Sequence, residues 1–242
     1  MHKLTEQYTV RSFDTDESGI ARASSLLRYM QEAALYQMTN RGPSNDELRR
    51  SGRMFMLSRM ALSSYAPLYA GNQIDVETWP SDSAGISFCR CFRIWRDGII
   101  TAEASSVWML LDLESYRVIR VRDADFDYGC APPLEVDVPK RAGISTEMRL
   151  SLVGERAVEY ADIDQNRHVN NTNYADILCH CIPGVKSGTH RVVSLYINYI
   201  AEAKKDDVLK IYRGEENGIF YMRTVKSDGK TNTEAKIVIE AI

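Results

Sequence analysis

The sequence predicts an α+β protein built from two successive, similarly made units, each an apolar-faced helix wrapped by a curved antiparallel sheet. Three observations lead there. Segments recur in the same order across the two halves: "FDTDESGIARASSLLRYM" from Phe13 aligns without gaps on "ADIDQNRHVNNTNYADI" from Ala161, at an offset of 148. Each half reads as strand, turn, helix and then several strands, with no strand–helix–strand alternation to signal a parallel sheet. The segment Asp123 to Gly143 is proline-dotted and aperiodic, the best linker in the chain.

The elements follow from periodicity. Leu27, Met30, Ala34 and Met38 recur at helical spacing, and Gly42-Pro43 should end that helix. In the second half Tyr174, Ile177, Leu178 and Cys181 form a similar stripe, with Pro183-Gly184 expected to stop it. Val193, Leu195, Ile197 and Tyr199 alternate with Val192, Ser194, Tyr196 and Asn198, as in a strand with two distinct faces. Asp97-Gly98 and Asp228-Gly229 read as hairpin turns. "AGNQIDVETW" resembles "KKDDVLKIY", and "RDGIITAEASSVWML" resembles "SDGKTNTEAKIVIEA". Two such sheets could pair edge to edge and remove two exposed edges. The expected units are residues 1–125 and 147–242, with a linker over 126–146.

Composition excludes several classes. The chain has 242 residues, 44% hydrophobic and 26% charged, with a formal charge of −3. That balance suits a soluble globular protein and argues against general nucleic-acid binding. No apolar run approaches the ~20 residues of a membrane span. The start, "MHKLTEQYTVRSF", lacks the apolar core of a signal peptide. Of the five cysteines four lie in two C-x-C pairs, neither with a matching second pair for a zinc site, and all read as reduced thiols in a cytoplasmic protein. No metal and no cofactor are expected.

The stretch "DIDQNRHVNNTNY" is the candidate site. If Asp162 to His168 is extended, Asp164, Asn166 and His168 face one side. The repeat sorts these residues: Asp162 and Asp164 match Asp14 and Asp16, whereas Asn166 and His168 match Ser18 and Ile20. The aspartates therefore suit a turn shared by both halves, and Asp162 reads as scaffold. The asparagine and histidine are particular to the second half. Asn171 or Thr172 is expected to cap the following helix, whose N-terminal amides could polarise a carbonyl. His180 and His190 stand apart from any cluster, and His2 is assigned no role.

These residues resemble the D-x-D-x-N-x-H-V-N-N-x-x-Y signature of acyl-acyl-carrier-protein thioesterases. The resemblance spans nearly the whole chain. "SFDTDESGIARASSLLRYMQEAA" resembles the family's first-helix region, and "WMLLDLESYRVIRV" its segment before the linker. It implies a tandem hotdog fold, and hydrolysis of the thioester of acyl-acyl-carrier protein that ends fatty-acid synthesis. Plant members carry a plastid transit peptide; this chain looks like a bacterial member. By resemblance, Asp164, Asn166 and His168 are catalytic candidates.

A second family motif, R-R-E-C-x-x-D-S-V-L, resembles "IAEAKKDDVL" and adds Glu202 to them. The cysteine of that motif falls on Ala203, so a covalent acyl-cysteine route lacks its thiol. The expected mechanism is water attack, with Glu202 or Asp164 as base. Asn170, Asn171, Lys204 and Lys205 are candidate substrate-binding residues, the lysines toward an acidic carrier protein or its phosphopantetheine phosphate. The first unit, rich in Met30, Met38, Met54, Met56, Met60, Phe55, Trp79 and Trp108, is expected to hold the acyl chain. Alternatives are a hotdog acyl-CoA thioesterase, or a non-catalytic acyl-binding protein of that fold. A homodimer is a further expectation.

Overall fold

The computed structural model describes residues 3–242, so His2 lies outside the described residues. The first half runs β1 (Leu4–Thr9), α1 (Ala23–Arg41), α2 (Asn45–Arg50), β2 (Arg53–Ser64), β3 (Gln73–Ala84), β4 (Ser87–Arg96), β5 (Ile99–Asp112) and a short β6 (Val118–Ile119). Residues 124–150 contain no helix or strand. The second half runs β7 (Ser151–Ala157), α3 (Asn173–Cys179), α4 (Pro183–Lys186), β8 (His190–Tyr199), β9 (Val208–Glu216), β10 (Ile219–Lys226) and β11 (Thr231–Ala241).

The strands form one antiparallel sheet, the two expected sheets being joined edge to edge. Its order is β1-β3-β4-β5-β2-β8-β11-β10-β9-β7, with β6 alongside β5. The second half repeats the order of the first about the β2–β8 pair. Along this seam Arg59 faces Asn198, Met60 faces Ile197 and Leu62 faces Leu195. Pairing there satisfies the backbone groups of two strands that would otherwise be open edges. Equivalent ion pairs brace both halves: Arg93 with Glu103 between β4 and β5, and Arg223 with Glu234 between β10 and β11.

Helix α1 buries Leu26, Leu27, Met30, Ala33 and Ala34 against the inner face of the sheet, and ends where the amide of Gly42 bonds the Met38 carbonyl. The second-half helix is shorter than its apolar stripe. It stops at Cys179, leaving Cys181 beyond it, and Pro183 opens α4 instead of only ending α3. Proline suits the first turn of a helix because its missing N–H would have no intrahelical partner there. Asp97-Gly98 has positive φ at both residues (51° and 77°), as a two-residue hairpin of right-handed twist requires. At Asp228-Gly229 only the glycine is left-handed, at 81°.

The irregular segment is packed, not loose. It covers the outer face of the sheet, where Trp79 Nε1 donates to the Pro132 carbonyl and Tyr196 Oη to that of Pro139. Ala142 is buried against Ala61 and Tyr196. Trp79 therefore lies on the face away from α1, so it belongs to this outer layer and not to an acyl channel.

Ile197, fully buried at the seam, reports on its packing. Ile197→Ala should lower unfolding free energy by about 2–5 kcal/mol through lost burial and a residual cavity. Urea denaturation checks this; a loss under 1 kcal/mol would show that the seam is not a packed core.

Candidate active site

The segment Asp162–His168 is a turn, not an extended strand. Asp164 donates its amide to the His168 carbonyl at 3.0 Å, and Arg167 donates to the Asp164 carbonyl at 2.9 Å. Arg167 sits at φ 66°, in the left-handed region. The first half makes the same turn: Asp16 donates to Ile20 at 2.9 Å and Gly19 to Asp16 at 3.0 Å, with Gly19 at φ 77°. Both aspartates close it with a side chain. The Asp16 carboxylate accepts the Ser18 amide at 2.9 Å, and that of Asp164 accepts the Asn166 amide at 2.7 Å. Short carboxylates favour turns because they bond their own backbone two residues on.

Asp162 is buried scaffold. Its carboxylate accepts from the Glu159 amide at 2.9 Å and from Arg156 at 2.7 Å. Asp14, its counterpart, is likewise buried and accepts from the Arg11 amide at 2.9 Å.

The turn sets Asp164 and His168 across from each other. His168 Nδ1 is 3.9 Å from Asp164 Oδ1, and its Nε2 is 4.0 Å from Glu202 Oε1. His168 and Asp164 are mostly enclosed, while Glu202 is about half exposed. Asn166 Nδ2 donates to the second oxygen of Asp164 at 3.2 Å, and Asn166 Oδ1 accepts from Arg49 of α2. Thus a residue of the first half touches this turn, a contact that nothing in the pattern "NDELRR" signals.

Glu202 is fixed by its neighbours in the chain. The Val169 amide donates to the Ala203 carbonyl at 2.8 Å, so the histidine turn and the Glu202 loop are tied together. Ile200 and Ala201 both donate to the Asn232 carbonyl, and buried Asn232 Nδ2 donates to Tyr174 Oη at 3.0 Å. Tyr199 Oη donates to the Asn171 carbonyl at 3.1 Å. Burial pushes the Tyr174 hydroxyl up to about 12 and raises that of Tyr199, so both stay protonated.

The helix cap differs from expectation. Thr172 occupies the cap position without a capping side-chain bond. Instead Asn170 Oδ1 accepts the Thr172 amide at 2.9 Å, and the Asn170 carbonyl accepts that of Asn173 at 2.9 Å. Two amides expected to face a substrate carbonyl are therefore already engaged. Lys204 and Lys205 lie on an exposed turn closed by Asp207, outside the cavity lining.

Asp164, Asn166, His168, Asn170, Asn171 and Glu202 all line one cavity of about 640 Å³. The cavity continues into the first half between α1 and the inner face of the sheet. Met38, Met54, Met56, Met60, Phe55 and Trp108 line it. Met30 and Trp79 do not; Met30 is closed within the core, and Trp79 faces outward. All five cysteines are unpaired. Cys179 is buried, and burial pushes its thiol up to about 12; burial also raises Cys89, which lines the cavity. A thiolate nucleophile is disfavoured at both positions. Among the described residues no cluster of His, Cys, Asp or Glu could hold a metal ion.

Comparison with known proteins decides the family. The chain matches the model of the acyl-ACP thioesterase N-terminal domain over residues 1–127 and that of the C-terminal domain over residues 146–240. It belongs to the acyl-ACP thioesterase family. This family member is 24% identical over 224 residues to the chloroplastic oleoyl-acyl carrier protein thioesterase 2 of Arabidopsis thaliana, covering 84% of this chain and 60% of that protein. To the chloroplastic palmitoyl-acyl carrier protein thioesterase of Cuphea hookeriana it is 24% identical over 219 residues, covering 85% of this chain and 53% of the relative. The chain thus spans only part of the length of these curated relatives.

Its fold is like that of an acyl-ACP thioesterase from Bacteroides thetaiotaomicron (TM-score 0.89, 23% identity, 98% of both chains covered). The 12:0-ACP thioesterase of Umbellularia californica is similar at TM-score 0.76 and 17% identity, with 99% of this chain and 98% of that one covered. These are likenesses of fold.

The cysteine environments give a direct test. A brief pulse of alkylating reagent on native protein should modify exposed Cys130 and leave Cys179 intact, as read by peptide mass spectrometry. Equal labelling of the two would contradict the enclosure of Cys179.

Proposed function

We propose that this chain hydrolyses the thioester of acyl-acyl-carrier protein and releases the free fatty acid. One observation carries the reading: a single cavity joins His168, Glu202 and Asp164 to an apolar chamber of the size a fatty acyl chain needs. On this reading the two halves are two hotdog units in tandem. Residues 1–125 hold the acyl chain, 126–146 link, and 147–242 supply the catalytic groups. Five unpaired cysteines suit the reducing cytoplasm as its place of work.

Glu202 is the better general base. Asp164 already accepts two hydrogen bonds from Asn166, whereas the Glu202 carboxylate accepts none from the described residues. A gap of 4.0 Å between His168 Nε2 and Glu202 Oε1 is too long for a direct bond, and a water can touch both. Glu202 takes a proton from that water as its oxygen bonds to the thioester carbon. The tetrahedral oxyanion then collapses, the C–S bond breaks, and the proton held on Glu202 is relayed through His168 to the departing thiolate. Asp164, opposite Nδ1, orients the imidazole. Asn171 is the one amide from Val169 to Asn173 with no acceptor among the described residues, and its residue lines the cavity, so it is the assigned oxyanion donor. The carrier protein brings the substrate, and the exposed Lys204 and Lys205 face outward where its acidic surface or phosphate can meet them.

The test is release of free fatty acid from a length series of acyl-acyl-carrier proteins. His168→Ala and Glu202→Ala should each lower kcat by about 10²–10⁴-fold. Cys89→Ala and Cys181→Ala should leave it within a few-fold. Full activity in Glu202→Ala would remove that residue from the chemistry, and clear preference for acyl-CoA would overturn the choice of carrier.

A further inference from the structure

The acyl chamber is not apolar throughout. Arg90 of β4 lines it, although only 7% of the residue is exposed. Its place follows from strand register: Arg90 faces Ser106, Ser106 faces Met60, and Met60 faces Ile197. These four residues form one row across the inner face of the sheet. Ile197 precedes Tyr199, at the catalytic end of the cavity, by two residues. Arg90 therefore lies three strand spacings away from β8, about 14 Å. That is deep in the first half, far from the reacting carbonyl.

The guanidinium there is under-satisfied. Its Nη1 donates to Gln37 Oε1 at 2.5 Å and to Thr78 Oγ1 at 3.1 Å, and both acceptors are neutral. Nε and Nη2 have no acceptor among the described residues. The titratable neighbours acting on it are Tyr128 and Cys91, neither of them a carboxylate. Burial lowers the group only to about 10, so it stays charged near neutrality. Three other buried or half-buried arginines pair with carboxylates: Arg93 with Glu103, Arg191 with Glu240, and Arg223 with Glu234. A buried cation is costly without a matching acceptor. A wholly apolar acyl tail would leave that cost in place.

We propose that Arg90 forms a polar subsite in the acyl chamber, which selects acyl chains bearing an oxygen acceptor, hydroxyl or carboxylate, remote from the thioester. The two free donors point such a chain's oxygen at the guanidinium, and the carboxylate form also supplies the missing countercharge. Plain chains long enough to reach Arg90 are disfavoured, because they desolvate the donors without replacing their bonds. This inference rests on the acyl-thioester reading of the cavity.

The experiment compares kcat/KM for plain, ω-hydroxy and ω-carboxy acyl-acyl-carrier proteins over a series of chain lengths. At the length that reaches Arg90, an oxygenated chain should be preferred over the plain one by roughly ten- to a hundred-fold. Hydroxy and carboxy arms separate neutral hydrogen bonding from charge pairing. Arg90→Met should bring the ratio to about one and admit longer plain chains. Loss of a merely structural arginine would lower all rates together and leave the ratio unchanged, which would overturn the proposal. So would a wild-type ratio of one or less at every length, which needs no variant. If Arg90→Met does not fold, Arg90→Lys keeps the charge, and should keep the carboxy preference while weakening the hydroxy one. Calorimetric binding of a fatty acid, its ω-hydroxy form and the matching dicarboxylic acid provides a readout without turnover. Absence of all turnover would sink the proposed function, and the calorimetric ranking would still decide the subsite.

Discussion

The antiparallel seam between β2 and β8 is the constraint on which the rest of this structure depends. Through it the two halves share a sheet, a core and a cavity. Met60 and Ile197 meet there, one lining the cavity and the other fully buried. Without that register the histidine turn, which belongs to the second half, would not stand at the mouth of a chamber built mainly by the first. Hydrogen bonds between strands are directional and periodic, so a slip of one residue would turn every side chain of the row to the opposite face.

Duplication explains much of the site's architecture. The same turn, with the same aspartate closures, stands in both halves, so its folding requirements are met twice. What differs is the residue that completes each turn. Gly19 is free to adopt positive φ, whereas Arg167 adopts it at some steric cost. Ser18 Oγ donates to the Gly188 carbonyl at 2.7 Å, and Asn166 takes the bond from Arg49 at the corresponding place. Each turn is thereby pinned to the segment that follows the other half's helix. One pinning point sits beside a histidine and a wide cavity; the other sits beside an isoleucine. The asymmetry of side chains is laid on a nearly symmetric frame.

The chamber has its own division of labour. Methionines and aromatic residues give an adaptable apolar lining, while Arg90 interrupts it with a charge held by neutral partners. The irregular segment contributes from outside, taking Trp79 and Tyr196 into an outer layer and sealing the back of the sheet. Phe126 and Tyr128 of that segment also reach the cavity. A connection that looks like a spacer in the sequence is thus part of the walls.

Periodicity and internal repeat by themselves determined the α+β class, the repeated element order, α1 with its glycine stop, and the separation of Asn166 and His168 from the shared aspartates. Those features are local: they depend on spacing along the chain and on the comparison of one half with the other. Tertiary structure decided the rest. It folded Asp162–His168 into a turn where alternation suggested an extended face, because two aspartate side chains bonded their own backbone. It moved the capping role to Asn170, shortened α3, and left Lys204 and Lys205 outside the cavity. Above all it brought Arg49, Glu202 and Arg90 to one cavity from three distant stretches. No spacing rule links those residues; the shared sheet and the helix and loop packed on it do, and that packing is a property of the folded chain.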